Sequence, residues 1–382
     1  MFQLSLKSIA LYIGLSCVAV LSAAARQRNV LAYVAIPAHV GNHRNSEATI
    51  LDLGPHRLLL AWTEFYTSNG GDWGPARISA MTSRDGGLTW SDKHVLQRNI
   101  GKMNVMEANL LRLHDGRIFF VFGRKNSPAD SVPMFRISLD NRLTFSSPQA
   151  IPVDPHPAYY TINNDRVIQL GSGRILAPLA YTKDYRLDHH FLTRVYYSDN
   201  EGKTWKASKT IIDVKQSSGG AQEPGVVQLP NGKVMLWVRT NTGHPYQAYS
   251  DNDGITWSTP EPMSVPAPNS PQSIKRIPRT DDLLMIWNNS ATNRFPLAAA
   301  ISKDNGRTWP DIRNLDADAH DTYAYPSITF VNNWAFFTYY SGPPVGKHEK
   351  MPFWSLKFKR VPIKWLYQHE VNGKSGSQRR VQ

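Results

Sequence analysis

The stretch Ser83–Trp90, SRDGGLTW, returns as SDNEGKTW at 198, SDNDGITW at 250 and SKDNGRTW at 302, with a blurred copy, SLDNRLTF, at 138. Successive copies start 52 to 60 residues apart, and a period of that length marks an architecture built from repeated units. A second pattern runs with it. Six apolar segments are each broken by a tight-turn sequence: TILDLGPHRLLLAW, NLLRLHDGRIFFVF, RVIQLGSGRILAPL, GVVQLPNGKVMLWV, SIKRIPRTDDLLMIW and SITFVNNWAFFTYY. Each reads as a β-hairpin, because Gly, Asn, Asp and Pro supply the backbone angles of the turn between two runs of strand-forming residues. One hairpin plus one polar turn per period gives about four strands per unit. The expectation is an all-β chain, a six-bladed β-propeller of four-stranded antiparallel blades.

Within the polar turn, the Asp or Asn side chain can accept from neighbouring backbone N–H groups, the Gly takes a left-handed angle, and the Trp packs its ring between sheets. That makes the turn a structural staple. Its sixth copy is missing, so the last blade is expected to close by pairing NVLAYVAIP, near residue 30, with FWSLKFKRV, near residue 355. Closure of this kind leaves no open sheet edge.

Composition agrees with the pattern. The 382 residues are 41% hydrophobic and 11% aromatic, with 25 Gly and 26 Pro, which suits short strands and many turns. Lys7, the apolar run Ile9–Leu21 and the small-residue stretch ending at Ala25 read as a secretory signal peptide over 1–25. The propeller then spans 26–370, and a basic, disordered tail follows over 371–382. The only cysteine, Cys17, lies in the leader, so the mature chain is expected to hold no disulfide. The reading is of a secreted or periplasmic monomer with no membrane span in the mature chain. A net charge of +13 is spread along the sequence and favours acidic glycans as partners. No nucleic-acid-binding module is recognisable.

In a propeller the innermost strands line a central channel, so a site draws on equivalent positions of several blades. Ahead of the six hairpin turns stand Arg44, Glu107, Asn164 with Asp165, Glu223, Gln272 with Ser273, and Tyr325. On return strands, Arg124 and Arg239 are expected at the same face. The cluster DYRLDHH at 184–190 lacks recognised metal spacing and reads as a solvated loop at the channel mouth.

In these residues and in its recurrent turns the chain resembles the sialidase (neuraminidase) family, whose bacterial members are six-bladed propellers carrying the same Asp-box turns. The resemblance runs from about residue 30 to 366. It implies three arginines that clamp the carboxylate of sialic acid, matching Arg44, Arg239 and Arg294. Arg276 or Arg313 are alternatives for the third. It implies Tyr325 as nucleophile with Glu223 as its base, Asp72 in GGDWGP as acid/base, and Glu107 as an acceptor of a sugar hydroxyl. Arg44 is followed by Asn45 and Ser46 where the family carries Ile-Pro, and Glu47 in the same strand is either a second acid or a polar channel residue.

The chemistry implied is coherent: guanidinium groups bind carboxylate through paired hydrogen bonds, and a neutral phenol can approach a carbon that bears a negative charge. No cofactor or metal is implied. The expected activity is an exo-α-sialidase acting with retention on a terminal sialic acid or related 2-keto acidic sugar. The alternatives are a hydrolase or lyase for another acidic glycan, and a non-catalytic glycan-binding propeller.

Overall fold

The computed structural model describes residues 30–67, 69–141, 143–345 and 352–368. The expected leader and basic tail lie outside these residues. Among the described residues every element is a strand except the short helix Ile363–Leu366. All six expected hairpins form: Arg44–Asp52 with Leu58–Phe65, Asn104–Arg112 with Ile118–Ser127, Ile168–Gln169 with Ile175–Thr182, Gln222–Gln228 with Val234–Arg239, Ser273–Arg276 with Leu283–Asn288, and Thr322–Val331 with Trp334–Gly342.

The hairpins are not distributed over six separate sheets. Among the described residues they form four sheets of four strands and one of nine. The larger sheet arises because the short strand Tyr159–Thr161 runs antiparallel to Ile175–Thr182 and also bridges in parallel to Ser131, joining the second and third hairpins edge to edge. The N-terminal segment pairs as expected, with Leu31–Ile36 adding antiparallel to Ser355–Pro362 at the edge of the last sheet.

The core explains why the hairpin strands are so apolar. Each sheet is covered on both faces, so strands such as Leu58–Phe65 are buried throughout, whereas the outer strand Ser91–Gln97 is mostly exposed. Six apolar clusters fill the spaces between successive hairpins. Leu59 and Ile78 of the first unit meet Ile118 and Phe120 of the second, and the series continues around the chain. Its last member packs Phe336 and Phe358 against Leu60 and Trp62, so the sixth hairpin touches the first.

The recurrent turns are the staples that seat one sheet on the next. In the first, Ser83 Oγ accepts from the Gly87 N–H at 2.8 Å, while Asp85 Oδ1 accepts from the Leu88 and Thr89 N–H groups. The same pattern recurs at Ser198, Ser250 and Ser302. Gly87 sits at φ +84°, and a Cβ there would lie 2.6 Å from the Phe358 ring of the last sheet. Gly116, in an open hairpin turn at φ +89°, would meet nothing within 4 Å.

Gly87→Ala is therefore expected to cost about 2–4 kcal/mol, from backbone strain plus overpacking. Gly116→Ala should cost only about 1 kcal/mol from strain alone. Urea unfolding of the two variants measures the difference, and equal costs would contradict the contact between first turn and last sheet.

Candidate active site

Four of the hairpins begin with the same irregularity. The strand ladder slips between Ser46 and Thr49, between Met106 and Asn109, between Gln222 and Gly225, and between Ala324 and Ser327. The residues released by these bulges are Glu47, Glu107, Glu223 and Tyr325, with φ of +53°, +71°, +42° and +55°. Left-handed backbone in non-glycine residues costs of the order of 1–3 kcal/mol each and persists only where the surroundings enforce it. Here the bulges turn three carboxylates and a phenol into one cleft of about 370 Å³.

The seven residues to which the family resemblance gives a role all line that cleft: Arg44, Asp72, Glu107, Glu223, Arg239, Arg294 and Tyr325. Tyr325 donates its phenolic proton to Glu223 Oε1 at 3.2 Å. The other carboxylate oxygen of Glu223 accepts from Arg239 Nη1 at 2.7 Å. Arg239 is steadied by Asn269 Oδ1 at 2.6 Å, and Arg294 reaches the carbonyl of the same Asn269 and the Tyr340 hydroxyl. Burial, and then the negative charge of Glu223, hold the Tyr325 phenol well above its ordinary pKa against the pull of Arg239 and Arg44. At neutral pH it is a neutral phenol.

Arg44 is buried and its donors are largely committed. Nε donates to Ser46 Oγ at 2.8 Å, Nη2 to Glu47 Oε1 at 2.6 Å and Nη1 to Asp72 Oδ1 at 2.5 Å. Asp72 stands on the loop after the first hairpin, whose Asp72 and Gly74 carbonyls are held by Asn104 Nδ2. Desolvation would raise its pKa, but Arg44, Lys125 and Arg294 together hold it at about 2. Its side chain is 52% exposed to the cleft opening.

Other expected positions fall elsewhere. Asn164 and Asp165 lie beneath the cleft and tie inner strands together: Asn164 Nδ2 donates to the Ala48 carbonyl at 2.7 Å, and Asp165 pairs with Lys275. Gln272 gives its carbonyl to Arg166. Arg124 does not line the cleft. The next residue, Lys125, does, because successive strand residues point to opposite faces. Its ammonium lies over the Tyr159 ring at 5.2 Å and the Trp73 ring at 5.9 Å. Arg313, the alternative third arginine, instead bonds the Trp365 carbonyl. In the 184–190 loop, Asp184 pairs with Arg186 and His190 with Asp213, while Tyr185 joins Trp73 and Tyr159 at the rim.

Glu107 illustrates how burial tunes the site. Its carboxyl fits over Gly123, where a Cβ would come within 2.7 Å of Oε2, and accepts from the Ile162 N–H. Burial pushes it up to about 7, against the attraction of Lys125. Between the unfolded-chain value, near 4.5, and about 7, the folded protein binds a proton that the unfolded chain releases. The contribution to stability is thus full below pH 4.5 and lost as pH rises through 7. Glu107→Gln should flatten this part of the melting-temperature profile, measured by thermal unfolding between pH 4 and 8. A profile identical to that of the parent protein would contradict the assignment.

Residues 118–337 match the family described as BNR repeat-like domain, a span that includes four of the Asp-box copies and the Tyr325–Glu223–Arg239 cluster. The chain belongs to the BNR-repeat family, of sialidase-like type. Among relatives of this BNR-repeat chain is a sialidase of Bacteroides fragilis, 25% identical over 207 residues that cover 51% of this chain and 36% of the relative. The chain thus spans about a third of that curated relative.

Several solved structures share the fold of this BNR-repeat protein. A Dyadobacter fermentans protein of unknown function superposes with a TM-score of 0.70 at 20% identity, over 87% of this chain and 99% of its own. The Trypanosoma rangeli sialidase complexed with the inhibitor DANA gives 0.68 at 14% identity, over 87% and 59%. The leech intramolecular trans-sialidase gives 0.69 at 14%, over 85% and 69%. Among the described residues of the BNR-repeat chain, no helix is long and apolar enough to cross a membrane.

Proposed function

We propose that this protein is an exported exo-α-sialidase-like glycoside hydrolase that removes a terminal sialic acid, or a related 2-keto acidic sugar, with retention of configuration. The observation that carries the reading is the chain of contacts Tyr325 OH to Glu223 to Arg239 within a cleft that also holds Arg44 and Arg294. The six hairpins and the cyclic run of apolar clusters support six blades around one axis, with this cleft at one end of it.

The reaction follows from the charges. The sugar's carboxylate is captured by Arg239 and Arg294 and by the two Arg44 N–H groups left after three of a guanidinium's five are committed. A carboxylate nucleophile would be repelled by that group, whereas the neutral Tyr325 phenol is not. As its oxygen bonds to the anomeric carbon, Glu223 takes the phenolic proton, with Arg239 fixing the carboxylate's orientation. Asp72 protonates the departing oxygen, then draws a proton from the water that releases the sugar from Tyr325. Glu107 accepts from, or donates to, a ring hydroxyl according to its own protonation.

A second reading, a hydrolase for another acidic glycan, is favoured by Lys125, a fourth cation in the same cleft. Incubation with fluorogenic sialoside and fluorogenic uronides decides between them. Release from the sialoside supports the first, and release from a uronide alone supports the second. Tight binding of sialic acid without turnover would make the cleft a glycan-binding site.

A further inference from the structure

The mechanism above needs a proton on Asp72, yet in the resting cleft Asp72 is an ionised carboxylate held on Arg44 at 2.5 Å. The other terminal nitrogen of the same guanidinium holds Glu47 at 2.6 Å. The two carboxyl groups face one guanidinium, so the negative charge of Asp72 disfavours ionisation of Glu47 while Arg44 favours it. The surroundings divide them unequally. Asp72 is half exposed and also faces Lys125 and Arg294. Glu47 is 2% exposed, and its Oε2 is buried with no hydrogen-bond partner. The charged groups acting on Glu47 are Arg44 from its own strand, Asp72 from the loop, and Lys125 and Glu107 from the second hairpin. Burial raises its pKa in spite of the cations.

We propose that Glu47 and Asp72 form a carboxyl dyad bridged by Arg44, in which Glu47 holds the proton that Asp72 later passes to the departing oxygen. This rests on the sialidase-type reading of the cleft. A substrate carboxylate arriving at Arg44 competes with Asp72 for its charge, and the sugar covers the exposed side of Asp72. Both effects raise the proton affinity of Asp72. The proton leaves the Glu47 carboxyl and binds Asp72, directly or through one water, and Glu47 remains on Arg44 as a carboxylate. Asp72 then gives the proton to the glycosidic oxygen as the bond to the anomeric carbon breaks. In the second half-reaction the water bonds to the anomeric carbon as the bond to Tyr325 breaks, Asp72 takes the water's proton and returns it to Glu47, and Glu223 gives its proton back to the Tyr325 oxygen, which restores the resting state. Glu47 is thus a positioning and proton-storing residue that acts through Asp72.

The test compares Glu47→Gln with the parent protein on two sialosides, one with a nitrophenyl leaving group, which departs without a proton, and one with a saccharide leaving group, which needs one. The loss on the saccharide substrate is expected to exceed the loss on the nitrophenyl substrate by roughly 10²-fold. Equal losses would mean that Glu47 only orients Arg44, and no loss on either would mean that it stores nothing; both overturn the proposal. A readout independent of turnover is the carbon-13 titration of carboxyl groups in the unliganded protein. The resonance missing from Glu47→Gln should titrate above the ordinary glutamate range, and one at or below that range overturns the dyad. If the parent protein cleaves no sialoside, the sialidase-type reading falls while this titration still decides the pairing.

Discussion

Tyr325→Phe is expected to lower turnover of a fluorogenic sialoside by roughly 10³-fold while leaving the protein folded. The substitution removes one oxygen and one hydrogen bond, the 3.2 Å contact to Glu223. The ring remains, and with it the packing against Tyr340 at 5.8 Å and the face presented to Arg44 at 5.6 Å. Arg239 and Arg294 keep their partners, so capture of the sugar carboxylate should persist and KM should change far less than kcat. That division separates a nucleophile from a residue that merely shapes the cleft. A variant retaining a tenth or more of the parent kcat would show that the phenol does not attack.

Glu223→Ala should affect both activity and stability. Its pair with Arg239 is largely removed from water, at 15% and 11% side-chain exposure. Deleting one partner of such a pair leaves the other charge buried without compensation, a loss of about 3 kcal/mol. Turnover should fall by roughly 10²-fold or more as the proton acceptor for Tyr325 disappears. Removing Arg239 as well should cost less than the sum of the two single substitutions, because the uncompensated charge is then gone. Urea unfolding of the two single variants and the double variant measures this. Simple additivity would contradict the pairing, and full activity in Glu223→Ala would remove it from the reaction.

The features legible in the sequence are those whose signals are local. The Asp-box turns are legible because every feature of them, from the Ser that accepts the Gly N–H to the Asp cap, lies within eight residues. The hairpins are legible for the same reason. Pairing of Leu31–Ile36 with Ser355–Pro362 was also foreseeable, since these two strand-forming segments are left over once the six hairpins are assigned and the sixth Asp-box copy is missing. The joining of the second and third hairpins through Tyr159–Thr161 was not, because a single parallel bridge to Ser131 leaves no mark on residue pattern.

Of the charged residues ahead of the turns, Arg44, Glu107 and Glu223 meet in the cleft and Asp165 does not, while Glu47 was read only as an ambiguous neighbour of Arg44. A signal for it exists. SEA, MEA, QEP and AYP recur at the start of four hairpins, and in each the middle residue is the left-handed one at the bulge. Aligning those tripeptides places Glu47 with Glu107, Glu223 and Tyr325. Lys125 was displaced by one position in favour of Arg124, an error of strand face that alternation from the turn resolves: Lys125 stands at an odd distance from Gly116, as Arg239 does from Gly232, and Arg124 at an even one.

In the proposed reaction a tyrosine, rather than a carboxylate, bonds to the sugar. A 2,3-difluorosialic acid reagent slows release of the bound sugar, and mass spectrometry of the digested protein then locates it. One adduct is expected, on the peptide carrying Tyr325, and absent from Tyr325→Phe. An adduct on Glu223, Glu47 or Asp72, or turnover of a sialoside with Tyr325 never modified, would contradict it.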